Sequence, residues 1–314
     1  MPQPGEIELA ARERNGGGKP ATVQGRDVSL AVSPANYARR SLTAAILLLA
    51  LYMAWVIIAN QAFQWNVVFA WLFEPSVMQG LMVTLGLTVV AMALGTAIGL
   101  LLAICRLSAN RLPSGFASLY IWFFRGTPML VQLIFWYNLA TLFPEISITI
   151  PFGPTLISWD TNTLITPLTA AIVGLALNEA AYMAEIIRAG LISVDPGQSE
   201  AAQAFGMTRE RALRRIVIPQ AMRSIIPPTG NQLISMIKGT SLVSVIAMND
   251  LLYSVQAVYN RTFEIIPMLM VAVVWYLFIT SILNIGQSYI EAYYARGDRR
   301  DGQRQPDFSE AELA

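Results

Sequence analysis

Histidine is absent from the 314 residues, and cysteine occurs once, as Cys105. The first absence removes the usual general base and commonest metal ligand; the second excludes an intrachain disulfide and a thiolate-rich zinc centre. Charge is scarce as well: Asp, Glu, Lys and Arg together make 13% of the chain, against 55% hydrophobic residues. Soluble domains carry about 25% charged residues, so this composition belongs to a membrane protein. With 21 basic against 20 acidic residues the net charge is +1, and no global basic excess suits nucleic acid. Charge therefore has to be read by position.

A hydrocarbon core of about 30 Å needs roughly 20 apolar residues at 1.5 Å each. Residues 41–73 carry no charge, and their most apolar part gives way to Asn60, Gln61, Gln64 and Asn66, which puts a first span at 41–63. Residues 77–105 and 265–290 are also uncharged; Gly80, Gly86, Gly95 and Gly99 in the former permit close helix approach. Three further candidates hold charges: 112–143 with Arg125, 163–188 with Glu179 and Glu185, and 223–248 with Lys238. The fold class is thus all-α and polytopic, with six transmembrane helices. The segments 64–76, 144–162 and 249–264 contain one basic residue, Arg261, whereas the alternate loops hold Arg106 and Arg111, then Arg209, Arg211, Arg214, Arg215 and Arg223. The positive-inside rule places both termini in the cytoplasm, as an even number of spans requires.

Residues 1–40 and 291–314 read as cytoplasmic tails, disordered over 1–40 and from Gly297 on. The first apolar run begins only after Arg39 and Arg40 with no obvious cleavage site behind it, so residues 41–63 are expected to stay as an anchor. Gly16-Gly17-Gly18-Lys19-Pro20 lacks the Ser or Thr of a P-loop, which leaves no ATP site in this chain.

The polar stretch 193–223 is too long for a turn between spans. Asp195 can cap a helix that Pro196 opens and Gly206 closes, and Thr208 can cap a second, amphipathic helix that stops by Pro219. A DNA-reading helix-turn-helix tethered at both ends to spans could hardly reach a major groove. The spacing Glu200-Ala201-Ala202, three residues, Gly206, nine residues, Ile216, one residue, Ile218, Pro219 resembles the EAA loop of permease subunits of bacterial ABC importers; the one departure is Ile218 in place of the more usual leucine. Glu179-Ala180-Ala181 lacks the rest of that pattern.

Four further segments resemble the polar amino acid uptake group of these importers: 124–133 (FRGTPMLVQL), 181–188 (AYMAEIIR), 197–200 (GQSE) and 238–242 (KGTSL). The resemblance covers 77–290 and implies a type I permease core of five spans, to which 41–63 adds a sixth. It further implies that the protein sits in the bacterial inner membrane and binds no cofactor itself. ATP and Mg would lie on a separate cytoplasmic ATPase dimer that docks on Glu200, Ala201, Ala202, Gly206, Ile216 and Pro219. Implied partners are a second permease copy or paralogue and an extracytoplasmic binding protein that delivers a polar amino acid, with membrane lipid around them and no nucleic acid. An ion-gradient-driven carrier is the alternative, and would need no coupling loop. An enzyme is disfavoured by the missing catalytic groups.

A cation near mid-bilayer costs about 2.5 to 3.5 kcal/mol on insertion scales, so Arg125 and Lys238 need a reason. Both are followed by Gly and Thr, in Arg125-Gly126-Thr127-Pro128 and Lys238-Gly239-Thr240-Ser241, and paired interrupted helices mark a substrate site or gate in transporters. Arg125, Gly126, Thr127, Pro128, Gly239 and Thr240 are read as structural or gate residues, with snorkelling toward headgroups as the plainer role for both cations. Glu185 is expected to pair with Arg188 one turn on. Glu179 lies about 14 Å of helix from Arg188, near mid-membrane. Asn178, Glu179 and Tyr182, with Lys238 and Ser241 opposite, are candidates for a substrate pathway; a structural pair of Glu179 with Arg125 or Lys238 is the competing expectation.

Overall fold

The computed structural model describes residues 37–150 and 155–302. Most of the expected N-terminal tail, and the C-terminal tail from residue 303 on, fall outside the described residues. The chain divides after Ile57 into two compact units. The first carries α1, Tyr37–Ala59, except for its last two residues; this helix has no charge beyond Arg40 and a mean hydropathy of 2.5 over its apolar part. At about 1.5 Å per residue it is long enough to cross a bilayer.

The second unit opens on a 3₁₀ turn, Gln61–Phe63, capped by the Asn60 side chain, which accepts from the Ala62 amide at 2.9 Å. There follow α2, Trp65–Trp71; α3, Pro75–Arg106; α4, Arg111–Gly126; α5, Met129–Tyr137; and α6, Leu139–Leu142. A two-stranded antiparallel hairpin comes next, β1, Glu145–Thr149, and β2, Thr155–Asp160, with Glu145 opposite Asp160. The remainder is α7, Thr161–Leu164; α8, Pro167–Ile192; α9, Pro196–Ala204; α10, Arg209–Ala212; a π-helical segment, Leu213–Val217; α11, Ile218–Gly239; a 3₁₀ stretch, Thr240–Ile246; α12, Leu251–Thr262; and α13, Ile265–Gly302. The long helix α8 starts on a reciprocal capping box between Thr166 and Thr169, with Pro167 at its first turn.

Among the described residues four helices, α1, α3, α8 and α13, are each long and apolar enough to cross a membrane, and the succession Arg209–Ile246 and Leu251–Thr262, bent by 45°, makes a fifth if the pair is counted as one span. The span over 112–143 is interrupted, as read from Arg125-Gly126-Thr127-Pro128. It is divided into α4 and α5, because Thr127 and Pro128 are extended; proline disfavours helical backbone in the residue before it. The segment 144–162, read as a plain loop, carries the β hairpin. At the other end α13 runs on to Gly302, so the start of the expected C-terminal tail is helical. Helix formers such as Glu291, Ala292, Ala295 and Arg296 give it no reason to stop at residue 290.

The most extensive packing joins α3 to α8. A methyl group added at Gly95 would lie 2.7 Å from Glu179 Cβ, and one at Gly99 would lie 2.7 Å from Met183 Cβ. Two glycines four residues apart thus meet two α8 residues with the same spacing, an approach only small residues allow. Around this seam Leu87, Ala91, Leu133, Leu175 and Val243 form one buried cluster. A second joins Val68, Val77, Leu251, Val255, Met268 and Val271, alongside the Trp275 indole N–H, which donates to the Leu72 carbonyl at 2.8 Å. On the outer side of α3, Val89, Leu101 and Ile104 are exposed, as suits a lipid-facing surface.

Candidate functional site

Breaking a helix frees backbone groups that a membrane cannot hydrate. At the break between α4 and α5 they are taken up by side chains. The Gln132 side-chain amide donates to the Phe124 carbonyl at 3.0 Å and to Thr127 Oγ1 at 2.7 Å, while Asn178 from α8 donates to the same Phe124 carbonyl at 3.0 Å and to Gln132 Oε1 at 3.2 Å. Both amide side chains are buried. Asn178, read in the sequence as a pathway residue, therefore also holds the break open. The second break lies where α11 passes into 3₁₀ geometry. There Thr240 Oγ1 donates to the Ile237 carbonyl at 2.6 Å and Ser241 Oγ to the Lys238 carbonyl at 2.7 Å. The two breaks meet: a Cβ on Gly239 would sit 3.3 Å from Met129 Cε.

Between them lies a cavity of about 540 Å³, lined by the run from Arg125 to Met129, by Asn178, Glu179 and Tyr182 of α8, and by Gln232, Ser235 and Gly239 of α11. Glu179 is only 1% exposed. Its Oε2 accepts from the Gln232 side-chain amide at 2.9 Å, and its Oε1 is buried with no hydrogen-bond partner among the described residues. The Arg125 guanidinium lies 5.3 Å from the centre of the Tyr182 ring, a cation–π contact at the cavity wall.

Two sequence expectations change here. Lys238 and Ser241 do not line the cavity: the Lys238 side chain is exposed, and the Ser241 hydroxyl is turned back on its own helix. Lys238 precedes Gly239 by one residue, which rotates it about 100° away from the face Gly239 presents. Nor does Glu179 form an ion pair with Arg125 or Lys238; among the described residues the ion pairs are Glu185–Arg188 at 2.7 Å, as expected, and Glu210–Arg214 at 4.0 Å. Sequence reading missed Gln232 and the bracing role of Gln132. A signal for the former existed, since Gln232, Ser235 and Gly239 repeat at i, i+3 and i+7 along one helix face.

The loop over 193–223 folds largely by its local chemistry. Asp195 Oδ1 accepts from the Gly197 amide at 2.8 Å to cap α9, and Thr208 Oγ1 accepts from the Arg211 amide at 3.4 Å to cap α10. Gly206 between them has φ +74°, the left-handed conformation glycine adopts without penalty. Ala202 and Ala212 are buried where the two arms of the loop pack together, while Glu200, Ala201 and Phe205 are exposed, Phe205 to 88%. Ile216 is half-buried and Pro219 exposed. The second helix does not stop by Pro219. Instead Leu213–Val217 widens into a π turn and Pro219 becomes the second residue of α11. The wider turn accommodates a residue that has no N–H to give and whose ring would otherwise strike the carbonyl four residues back.

Residues 95–296 match the family of binding-protein-dependent transport system inner membrane components. The chain is 44% identical to the arginine transport system permease protein ArgU of Corynebacterium glutamicum, over 85% of this chain and 84% of that one. It is 37% identical to a putative glutamine transport system permease protein GlnP of Rickettsia prowazekii, over 62% and 83%. Among solved structures, an amino acid ABC transporter crystallised with histidines superposes with a TM-score of 0.60 and 36% identity, over 70% of this chain and 95% of that one. The methionine ABC transporter MetNI, at 19% identity and a TM-score of 0.54 over 70% and 98%, shares the fold. A helical, multi-pass chain with two interrupted helices, matched over these lengths, belongs to the family of inner-membrane permease components of binding-protein-dependent transport systems.

Proposed function

We propose that the chain lines the translocation pathway of an importer for a polar amino acid, and that Glu179 and Arg125 are its contacts with the substrate. The observation that carries this reading is the unpartnered Glu179 Oε1 in a cavity that also holds a guanidinium. An amino acid stripped of water needs an acceptor for its ammonium and a donor for its carboxylate. Glu179 supplies the first and Arg125 the second, the role the sequence reading gave to Lys238. The names of the relatives, which include arginine and glutamine systems, support an amino acid cargo; they lend nothing to an ion-gradient-driven carrier.

In this reading residues 1–40 and 291–314 face the cytoplasm, 41–63 form an additional anchor, and 77–290 form the core. A second copy or a paralogue completes the pathway, and an extracytoplasmic binding protein delivers the cargo. ATP and Mg belong to a separate ATPase dimer that grips residues 200–206, with Phe205 as the apolar knob in its groove and Ile216 and Pro219 supporting the loop from behind. Closure of the ATPases pulls this loop, and α11 carries the displacement to the break at Gly239, where it meets Met129 and opens or shuts the cavity.

The test is Glu179→Gln, which removes charge with little change of volume. It is expected to weaken transport affinity by about tenfold or more, the cost of losing one charge-assisted hydrogen bond, with an unchanged yield of assembled complex. Uptake of several amino acids measured beside complex yield decides it. Unchanged affinity and selectivity with a poor yield would make Glu179 a structural residue.

A further inference from the structure

Outside the cavity, the strongest concentration of charge lies on the coupling loop. Thr208, Glu210, Arg211, Arg214 and Arg215 line a concave site of about 300 Å³. None of these residues lines the neighbouring groove, where Ser199 and Gln203 of α9 face Ala212, Leu213 and Val217. The segment therefore has two separate sides: one packs on the arm that carries Glu200 to Gly206, and the other presents arginines. Glu210 approaches Arg214 at 4.0 Å, an exposed contact of little worth. The Arg211 and Arg215 side chains have no hydrogen bond or ion pair among the described residues, so the one carboxylate of the site is approached by Arg214 alone.

Guanidinium forks match the oxygens of phosphate and carboxylate groups, and a cleft with two uncompensated forks suits such an anion. The surroundings say which. The segment leads directly into α11, the helix that enters the membrane, and Ile218 at its start exposes 38% of its surface. Apolar surface beside arginines at the foot of a span is the pattern of an interfacial helix. We propose that Arg211, Arg214 and Arg215 bind the headgroup phosphate of an anionic phospholipid in the leaflet on the ATPase side. The bound lipid tethers the coupling loop to the membrane surface, so that force from the ATPases goes into α11 and not into lifting the loop.

The proposal rests on the cytoplasmic placement of this loop, and its test needs neither transport nor ATP, so it fails separately from the reading of the cavity. The full-length chain is reconstituted in nanodiscs of mixed phosphatidylcholine and phosphatidylglycerol, released into mild detergent, and its retained lipids are counted by native mass spectrometry. Phosphatidylglycerol is expected to be enriched, and the double variant R211Q/R215Q to lower its apparent affinity roughly thirtyfold, about the effect of two basic residues at an anionic surface. Both positions are exposed, so helical content should be unchanged. R211K/R215K, which keeps the charge and loses the forks, should fall in between. Equal retention by wild type and R211Q/R215Q overturns the proposal. So does displacement of the lipid by millimolar inorganic phosphate, which marks a site for free phosphate. Loss of the co-purified ATPase from R211Q/R215Q with lipid retention intact also overturns it, and assigns the basic face to protein docking.

Discussion

Gly99 and Gly86 stand on the same helix and have opposite surroundings. A Cβ at Gly99 would meet Met183 Cβ at 2.7 Å, the Ala180 carbonyl at 2.9 Å and the Ala184 amide nitrogen at 3.0 Å, whereas nothing lies within 4 Å of one at Gly86. Two of the three obstacles at Gly99 are backbone, which cannot rotate away. Gly99→Ala is therefore expected to destabilise the chain by about 1 to 3 kcal/mol through forced separation of α3 and α8. Gly86→Ala should be neutral or add about 0.5 to 1 kcal/mol, because alanine gives up less backbone freedom in a helix. Thermal unfolding of the purified variants in one detergent checks both. At this scale the sequence was a good guide to burial and a poor one to direction. It singled out Glu179 on the apolar run of α8, and the structure buries that residue; it also paired Glu185 with Arg188, as found. It could not say that Lys238 turns away from the cavity while Gln232 turns in: both sit on the regular helix α11, and periodicity separates their faces without showing which face the rest of the chain turns toward the cavity.

Elements were legible wherever a local chemical rule sets them. Asp195, Gly206 and Thr208 follow such rules, and the structure uses all three as cap, left-handed corner and cap. The space at Gly206 is open, so a side chain there is opposed by the backbone angle alone. That makes a discriminating prediction possible. Gly206→Val should distort the corner and uncouple ATP hydrolysis from uptake, whereas Gly206→Asn, which tolerates the left-handed region, should keep most of the coupled transport. The ratio of ATP hydrolysed to substrate imported, measured in proteoliposomes containing the whole transporter, separates the two; equal behaviour of both variants would show that side-chain size matters more than the angle. The π turn before Pro219 and the hairpin Glu145–Asp160 escaped sequence reading for a shared reason. A π turn has no residue preference strong enough to see, and proline normally signals an end. Alternation in Ile146, Ile148, Ile157 and Trp159 spans too few residues to stand out beside helices of 20 or more.

For the molecule as a whole, orientation depends on where arginine is placed, and two regions of the chain vote independently. The core carries Arg106 and Arg111 in one loop and Arg209, Arg211, Arg214, Arg215 and Arg223 in another, with a single basic residue, Arg261, in the opposite loops. The first turn of α1 adds Arg39 and Arg40, a second basic cluster ahead of its apolar run. Because the core has its own strong bias and matches the family model from residue 95 on, it should not need α1 to choose its orientation. Deletion of residues 1–63 is accordingly expected to move the new amino end to the outside while Ala314 stays within. The intact chain should keep both ends inside. A small epitope fused at either end, probed with protease on intact spheroplasts, reads this directly: both tags protected in the full chain, and the amino-terminal tag alone cleaved in the truncated one. Protection of both tags after the deletion would mean that α3 no longer crosses, and that the anchor is needed to start the insertion of everything behind it. Cleavage of a tag on the full chain would instead break the agreement between helix parity and arginine placement on which the cytoplasmic coupling loop depends.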